Sequence, residues 1–519
     1  MTATAKTRCV LGIDIGTSSS KGVLVGLDGE VLATATREHE VQRPRSGHVE
    51  MDGAIWWDEF VAIAGELVQG SDAEVVSVGV SGMGPCLLLE DGNGELLRPA
   101  ILYGVDTRAS RQIDELNAEL GADAIIDRGG SALSSQAVGP KMAWVAENEP
   151  ELFDKSRRMF MPSSYLVLRL TGEYVLDHQS ASQCTPLYDA QAADWYSPWW
   201  KHICGQITPP TLRWSDDVVG TITAEAAAET SLPQGIPVVC GTIDAWSEAI
   251  SVDAHNVGDL MLMYGTTMFM INTVAGQVSW PTLWGTVGAF EGTRNLAGGM
   301  ATSGAITGWL RELFGSPDYP TLLDEAGSSA PGANGLLMLP YFAGERTPIN
   351  DPDARGIVAG LTISHTRGDL YRAALEATAF GVRHNIDVFE QAGGQIDRVV
   401  AVGGGTQGEL WTQIVSDVTG RPQELRRTSI GASYGMAFLA ARAAGGGVAV
   451  AIDDWNPVQR TVTPNDAFRQ TYDELFALYR RLYDSTVDIA HQLAHRQDTQ
   501  LAHRQDTQLA RGQDTQPAE

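Results

Sequence analysis

Two short stretches of this chain share one build, and together they restrict its fold more than any other feature. Residues Cys9–Lys21 read CVLGIDIGTSSSK, with a β-rich apolar run (Val10, Leu11, Ile13, Ile15) that carries one acid, Asp14. A tip of Gly16, Thr17, Ser18, Ser19 and Ser20 follows, and Lys21 leads into a second apolar strand, Gly22–Leu27. In the second half the pattern restarts: strand Leu260–Tyr264, tip Gly265, Thr266 and Thr267, return strand Met268–Val274. A charge inside an apolar run is costly unless water or a ligand meets it, so Asp14 belongs either to a site or to a polar turn at the edge of a sheet. A tip of Gly, Ser and Thr offers N–H groups, hydroxyls and one ammonium to a phosphate. Neither tip is a Walker loop, because the chain contains no Gly-Lys dipeptide. The recurrence reads as an internal duplication at the level of fold.

A duplicated unit fits the length. At 519 residues the chain exceeds one ordinary core, so two large domains are expected: 1–253, and 254–492. Apolar content of 43% and charged content of 19% are those of a globular protein. No apolar run approaches a membrane span, and the opening MTATAKTR is too polar for a signal peptide. Five scattered cysteines without a C-x-x-C pair argue against zinc and disulfide frameworks and fit a reducing cytoplasm. A net charge of −28 disfavours nucleic acid and anionic lipid as partners. It also repels small anions, so a phosphate site here needs local donors and a cation. A neutral ligand meets no such barrier.

The order of elements is that of an α/β protein with two RNase-H-like domains and a cleft between them. Three antiparallel strands (Val10–Ile15, Gly22–Leu27, Val31–Arg37) precede a helix from about Asp52 to Val68 and a strand at Val75–Val80. A further strand pair is expected to turn at Asp91–Gly94. Residues 130–235 form an α-rich insertion, and the strand from Pro237 delivers Asp244 at its end. In the second half, helices are expected at Gly304–Phe314, Asp369–Gln391, Gly408–Val418 and Ser433–Ala444, with a strand at Arg398–Val402. A last helix should end near Leu493. Beyond it the repeat LAHRQDTQ is too hydrophilic to fold alone, and 493–519 is expected to be a disordered tail.

The strand-and-tip device resembles the first phosphate loop of the actin, heat-shock ATPase and sugar-kinase superfamily. Residues 356–376, GIVAGLTISHTRGDLYRAALE, sharpen the resemblance to the FGGY sugar-kinase family, matching its second signature at Gly356, Val358, Gly360, Leu361, Asp369, Leu370, Ala373, Ala374, Leu375 and Glu376. Leu97–Leu102 and Leu339–Pro348 are similar to its xylulokinase branch.

The resemblance implies an ATP-dependent kinase of a small ketose or polyol, with Mg2+ at the nucleotide and homodimers common. It implies Asp244 as the base that takes the hydroxyl proton. It assigns the phosphates to Asp14, Thr17, Ser18, Ser19, Lys21, Gly265 and Thr266. Gly304, Gly308, Gly404 and Gly405 would approach the rest of the nucleotide. Asp14 and Asp244 would hold magnesium, largely through water. For Asp244 the other reading is a helix N-cap; for Gly308 it is close helix packing. An ordinary Asp has a pKa near ~3.9, so Asp244 is expected to ionise without tuning.

Substrate residues depart from the branch. Its Gln-Met-His is here Met83, Gly84 and Pro85, and its Asn after the catalytic Asp is Ala245, followed by Trp246. Asp106 and Arg108 retain the family's Asp-Thr-Arg, either to hold vicinal hydroxyls or to pair with each other. Three other functions compete: a polyol kinase, a sugar-binding sensor without turnover, and an actin-like ATPase.

Overall fold

The computed structural model describes residues 6–444 and 450–513, with side chains described through 497. Two seven-stranded sheets organise it. In the first, Arg8–Ile15, Ser19–Gly26 and Val31–Glu38 form an antiparallel meander, and Glu74–Gly82 pairs in parallel on the free side of the opening strand. In the second, Asp259–Tyr264, Met268–Val274 and Arg294–Met300 form the meander, and Arg398–Val402 pairs in parallel with its opening strand. The same pairing occurs twice, as a duplicated unit requires.

The opening strand is buried from Cys9 to Ile13 because helices cover both faces of its sheet. One is Gly53–Gln69, capped by the Asp52 carboxylate, which accepts from Ala54 N at 3.0 Å. It lies so close that a Cβ on Gly22 would stand 2.3 Å from Ile63. The other is Ala432–Ala444, which comes from the second half of the chain yet packs on the first sheet. There a Cβ on Gly12 would stand 1.9 Å from the Ser433 carbonyl. Packing therefore crosses the expected division at 253/254.

Helix Arg367–Gln391 carries the second half of the signature, from Asp369 to Glu376, and two of its acids hold the fold. Asp369 closes a capping box with Thr366 and accepts from Ser329 and Asn334, donors that keep its carboxyl well below the usual range. Glu376 accepts from Arg372 Nε at 2.8 Å and from Tyr472 Oη at 3.0 Å.

Three expectations change. Leu88–Glu90 pairs with Arg158–Phe160, and the Asp91–Gly94 turn leads only to an isolated bridge between Glu90 and Leu96. The strand before Asp244 is two pieces, Pro237–Val239 and Thr242–Ile243, separated at Gly241, whose φ of 73° admits glycine most readily. The last helix runs Arg469–Gln513, past the expected disordered boundary at 493. Ala494 is buried and Arg355 donates to Gln497 at 2.9 Å, so the repeat extends a helix that is already anchored. Residues 514–519 lie outside the described residues. Among the described residues, no helix is long and apolar enough to cross a membrane.

Candidate active site

A cavity of about 360 Å³ is lined by residues of both halves of the chain. It brings together Asp14, Lys21, Gly84, Asp244, Ala245 and Trp246 from the expected site. Strand register explains two of them: Asp14 and Lys21 are paired across the first hairpin, at the ends nearest the tip. Asp14 also stands opposite Ser81 on the parallel strand, and the Ser81 hydroxyl donates to its Oδ1 at 2.8 Å.

Asp244 opens the helix Asp244–Ser251. Its Oδ1 accepts from Ala245 N at 2.8 Å, while Oδ2 has no partner among the described residues. The N-cap reading does not hold: Ile243 occupies the N-cap, Asp244 is the first helical residue, and its Oδ1 meets only the N–H of the next residue, while Oδ2 is left for the cavity. The expectation that Asp244 ionises without tuning does not hold. Burial raises its pKa, and the negative charge of Asp14, and of Glu248 one helical turn on, adds to the rise. Burial also raises Asp14, against the Ser81 hydrogen bond and the Lys21 charge. Glu248 is pushed up to about 7, again by burial and then by Asp14.

This donor set suits a divalent cation. Asp14 and Asp244 line one cavity with a single ammonium, Lys21, and burial raises the pKa of both, with the charge of Asp14 adding to the rise at Asp244. Among the described residues no three His, Cys, Asp or Glu side chains are set to hold a metal ion by themselves. That leaves room for an ion that keeps much of its water.

Both tips are pinned. Thr17 Oγ1 bonds Tyr103 Oη at 2.8 Å, and Gly16 N donates to Ser19 O at 3.1 Å. Ser18 is exposed and Ser19 half-buried. At the second tip, Gly304 N donates to Gly265 O at 3.0 Å, and Ser303 N and Ala305 N donate to Thr266 O at 3.0 and 3.1 Å. A Cβ on Gly304 would stand 2.6 Å from Gly265 O, so glycine is needed for that approach. Thr266 leaves the cavity lining to its neighbour Thr267.

The remaining glycines divide. A Cβ on Gly308 would meet nothing nearer than Tyr319 Oη at 3.8 Å, and one on Gly404 would meet nothing within 4 Å. Close packing thus does not explain either. Gly405 is a packing glycine, since its Cβ would stand 2.7 Å from the Trp411 ring and 2.9 Å from Tyr264.

Three expected substrate residues stay outside the cavity lining. Met83 is buried in the first core. Asp106 and Arg108 form a buried ion pair, Arg108 Nη2 to Asp106 Oδ2 at 2.7 Å, tied to Val49 N and to Glu50. Trp246 does line the cavity, but its Nε1 donates to Asn295 at 3.0 Å.

Several lining residues escaped the sequence reading of the site. Glu248 does stand out in the sequence with Trp246, four residues after Asp244 and hence on the same helix face, but nothing in the sequence assigns it a role. Gln183 Nε2, Thr286 Oγ1 and Ser433 Oγ are buried without hydrogen-bond partners, and no sequence signal marks them. Unpaired polar atoms around a cavity suit a ligand rich in hydroxyls.

Comparison with known proteins agrees with this geometry. Residues 9–251 match the N-terminal domain of the FGGY family of carbohydrate kinases, and residues 260–444 match its C-terminal domain. The xylulose kinase of Escherichia coli is 29% identical over 488 residues, covering 92% of this chain and 99% of its own. A glycerol kinase of Nocardia farcinica is 29% identical over 456 residues, 82% of this chain and 89% of its own. The crystal structure of xylulose kinase from Rhodospirillum rubrum superposes with a TM-score of 0.87 at 33% identity, covering 93% of this chain and all of that one.

Proposed function

We infer the reaction from a premise the matches establish, that the chain belongs to the FGGY family of carbohydrate kinases and phosphorylates a sugar at the expense of ATP. The acceptor we propose is a small ketose of the xylulose class, as in the relatives of similar length. One observation carries the mechanism: Asp244 ties one carboxylate oxygen to Ala245 N and leaves the other to the cavity.

In the proposed step a sugar hydroxyl oxygen attacks the γ-phosphorus of ATP, and its proton passes to Asp244 Oδ2. The bond from γ-phosphorus to the bridging oxygen breaks, and its electron pair leaves with ADP. Thr17, Ser18, Ser19 and Lys21 from one side, and Gly265 and Thr266 from the other, receive the phosphates. Gly308 and Gly404 leave room for the rest of the nucleotide, and Gly304 acts by letting its helix dock on the second tip. Asp14 and Asp244 would hold Mg2+, largely through water. When bound, that ion neutralises phosphate charge and draws the two carboxyls back to their ionised forms.

Substrate contacts fall to Gly84, Ala245 and Trp246, with Gln183 and Thr286 supplying hydrogen bonds. The same reading gives the enzyme a neutral small-molecule partner and a cytoplasmic setting. The test is a panel of ketopentoses, tetruloses, pentitols, tetritols and glycerol with Mg·ATP, following ADP release. Turnover of a ketose that falls by about 10²–10⁴-fold in Asp244→Asn supports the reading. Preference for a polyol would replace the ketose, and sugar-independent ADP release that survives the substitution would refute the mechanism.

A further inference from the structure

The cavity lining contains two cations, Lys21 from the first half and Arg346 from the second. Arg346 is held in an unusual way. Glu345 before it is 5% exposed, and its Oε1 accepts from Ala301 N at 2.8 Å and from Arg346 N at 2.7 Å. Thr347 after it is 3% exposed; its hydroxyl accepts from Gly299 N at 2.6 Å and donates to Asn385 Oδ1. Arg346 O accepts from Asn350 N. Both neighbours are thus buried and bonded inward, to the end of strand Arg294–Met300 and to helix Arg367–Gln391.

Arg346 itself is exposed, and among the described residues no carboxylate pairs with its guanidinium. An arginine on a rigid mount in an otherwise acid-rich cavity is expected to find a carboxylate partner unless an incoming anion takes that place. Asp14, Asp244 and Glu248 line the same cavity, yet none forms an ion pair with it.

We propose that Arg346 is a catalytic residue, the guanidinium that the second half of the chain brings to the equatorial oxygens of the γ-phosphoryl group as it passes from ATP to the sugar. The proposal rests on the phosphotransfer reading above. In that step the acceptor oxygen bonds to phosphorus, its proton goes to Asp244, and the electron pair of the broken bond leaves on ADP. Arg346 forms no covalent bond; its N–H groups donate to oxygens whose charge is shared between attack and departure. Lys21 meets the phosphates from the opposite side. Because the two cations come from the two halves of the chain, closing the cleft would complete the constellation, so that ATP is poorly hydrolysed while the cleft stands open.

The experiment uses the full-length enzyme, Mg·ATP and whichever panel sugar the wild type phosphorylates fastest. Arg346→Ala should lower kcat by about a thousandfold, the lower end for a phosphoryl-facing arginine, with KM for sugar and for Mg·ATP changed by less than about threefold. Millimolar guanidinium should restore kcat at least about tenfold in Arg346→Ala and do nothing for Asp244→Asn. Arg346→Lys should remain well below wild type, because an ammonium cannot reproduce the planar fork. An unchanged thermal midpoint in the variants shows that they fold. The proposal is overturned by a kcat within tenfold of wild type, by a loss confined to KM for Mg·ATP, or by the absence of guanidinium rescue. A wild type that phosphorylates nothing on the panel instead removes the kinase reading and this proposal with it.

Discussion

Asp14 and Ser81 face each other on neighbouring parallel strands, and the Ser81 hydroxyl donates to Asp14 Oδ1 at 2.8 Å. The bond favours the ionised carboxyl, since it pulls down a pKa that burial raises. Ser81→Ala should therefore cost stability chiefly where Asp14 is ionised. We expect a loss of about 1.5 kcal/mol at pH 8, in the range for a hydrogen bond to a charged group, and a smaller loss at pH 5. Urea unfolding at the two pH values measures it. An equal loss at both would mean that the hydroxyl matters for packing and not for the charge.

Asp14, Asp244 and Glu248 share one cavity, and all three have raised pKa values, Glu248 to about 7 from 4.5. The folded state thus binds protons that the unfolded chain has already released above about pH 4.5. Stability from these groups is present below that pH and declines as the pH rises through about 7. A divalent cation competes with those protons. The thermal shift produced by Mg·ADP should grow between pH 6 and pH 8, and Asp14→Asn should flatten the growth. A shift of the same size at both pH values in the wild type would argue against carboxylates as the cation's partners.

The paired strand-and-tip devices were legible because both signals are local. Short continuous apolar runs rich in β-branched residues identify the strands, and Gly, Thr and Ser at the tips identify turns able to meet phosphate. Asp244 was legible as the acid that ends a strand. Its raised pKa was not, because that comes first from burial and then from the charge of Asp14, and both are products of folding. Arg346 lay in a stretch noted only for family likeness, since its meaning comes from the burial of Glu345 and Thr347, and burial is a tertiary fact. Helix Ala432–Ala444 lies in sequence between two strands of the second sheet, Gln423–Arg426 and Val458–Val462, and packs on the first, which no local pattern could announce. The signature residues Asp369 and Glu376 were easy to find and turned out to cap and brace a helix, showing that a strong family motif can mark architecture.

Gly404 and Gly405 should separate binding from folding. A Cβ on Gly405 would collide with Trp411 and Tyr264 at 2.7 and 2.9 Å, whereas one on Gly404 meets no protein atom within 4 Å. Gly405→Ala should destabilise by about 1–3 kcal/mol, as overpacking does. Gly404→Ala should leave the thermal midpoint within about 1 °C of wild type, no more than the shift that about 1 kcal/mol produces in a chain this large, while KM for ATP rises. Differential scanning fluorimetry and initial rates distinguish the two. If Gly404→Ala changes neither midpoint nor KM, the nucleotide does not approach that glycine.

Asp106 and Arg108 give the sharpest conflict between motif and structure. The Asp-Thr-Arg motif fits a sugar contact, yet the Asp106 side chain is fully buried, accepts from Val49 N at 2.6 Å, and pairs with Arg108, which in turn reaches Glu50 at 2.7 Å. The Arg108 guanidinium also sits 4.9 Å from the centre of the Trp144 ring. Truncating one member of a buried pair leaves the other charge uncompensated, which costs about 3–5 kcal/mol. Asp106→Ala should lose stability on that scale, softened here because Glu50 still faces Arg108. The folded fraction should keep the wild-type KM for sugar, because Asp106 does not line the cavity. Replacing Asp106 and Arg108 together with apolar residues of similar size should recover part of the loss, since no lone charge is left behind. A variant that folds normally but binds sugar at least tenfold more weakly would return Asp106 to the substrate site and show that the cleft rearranges around the sugar.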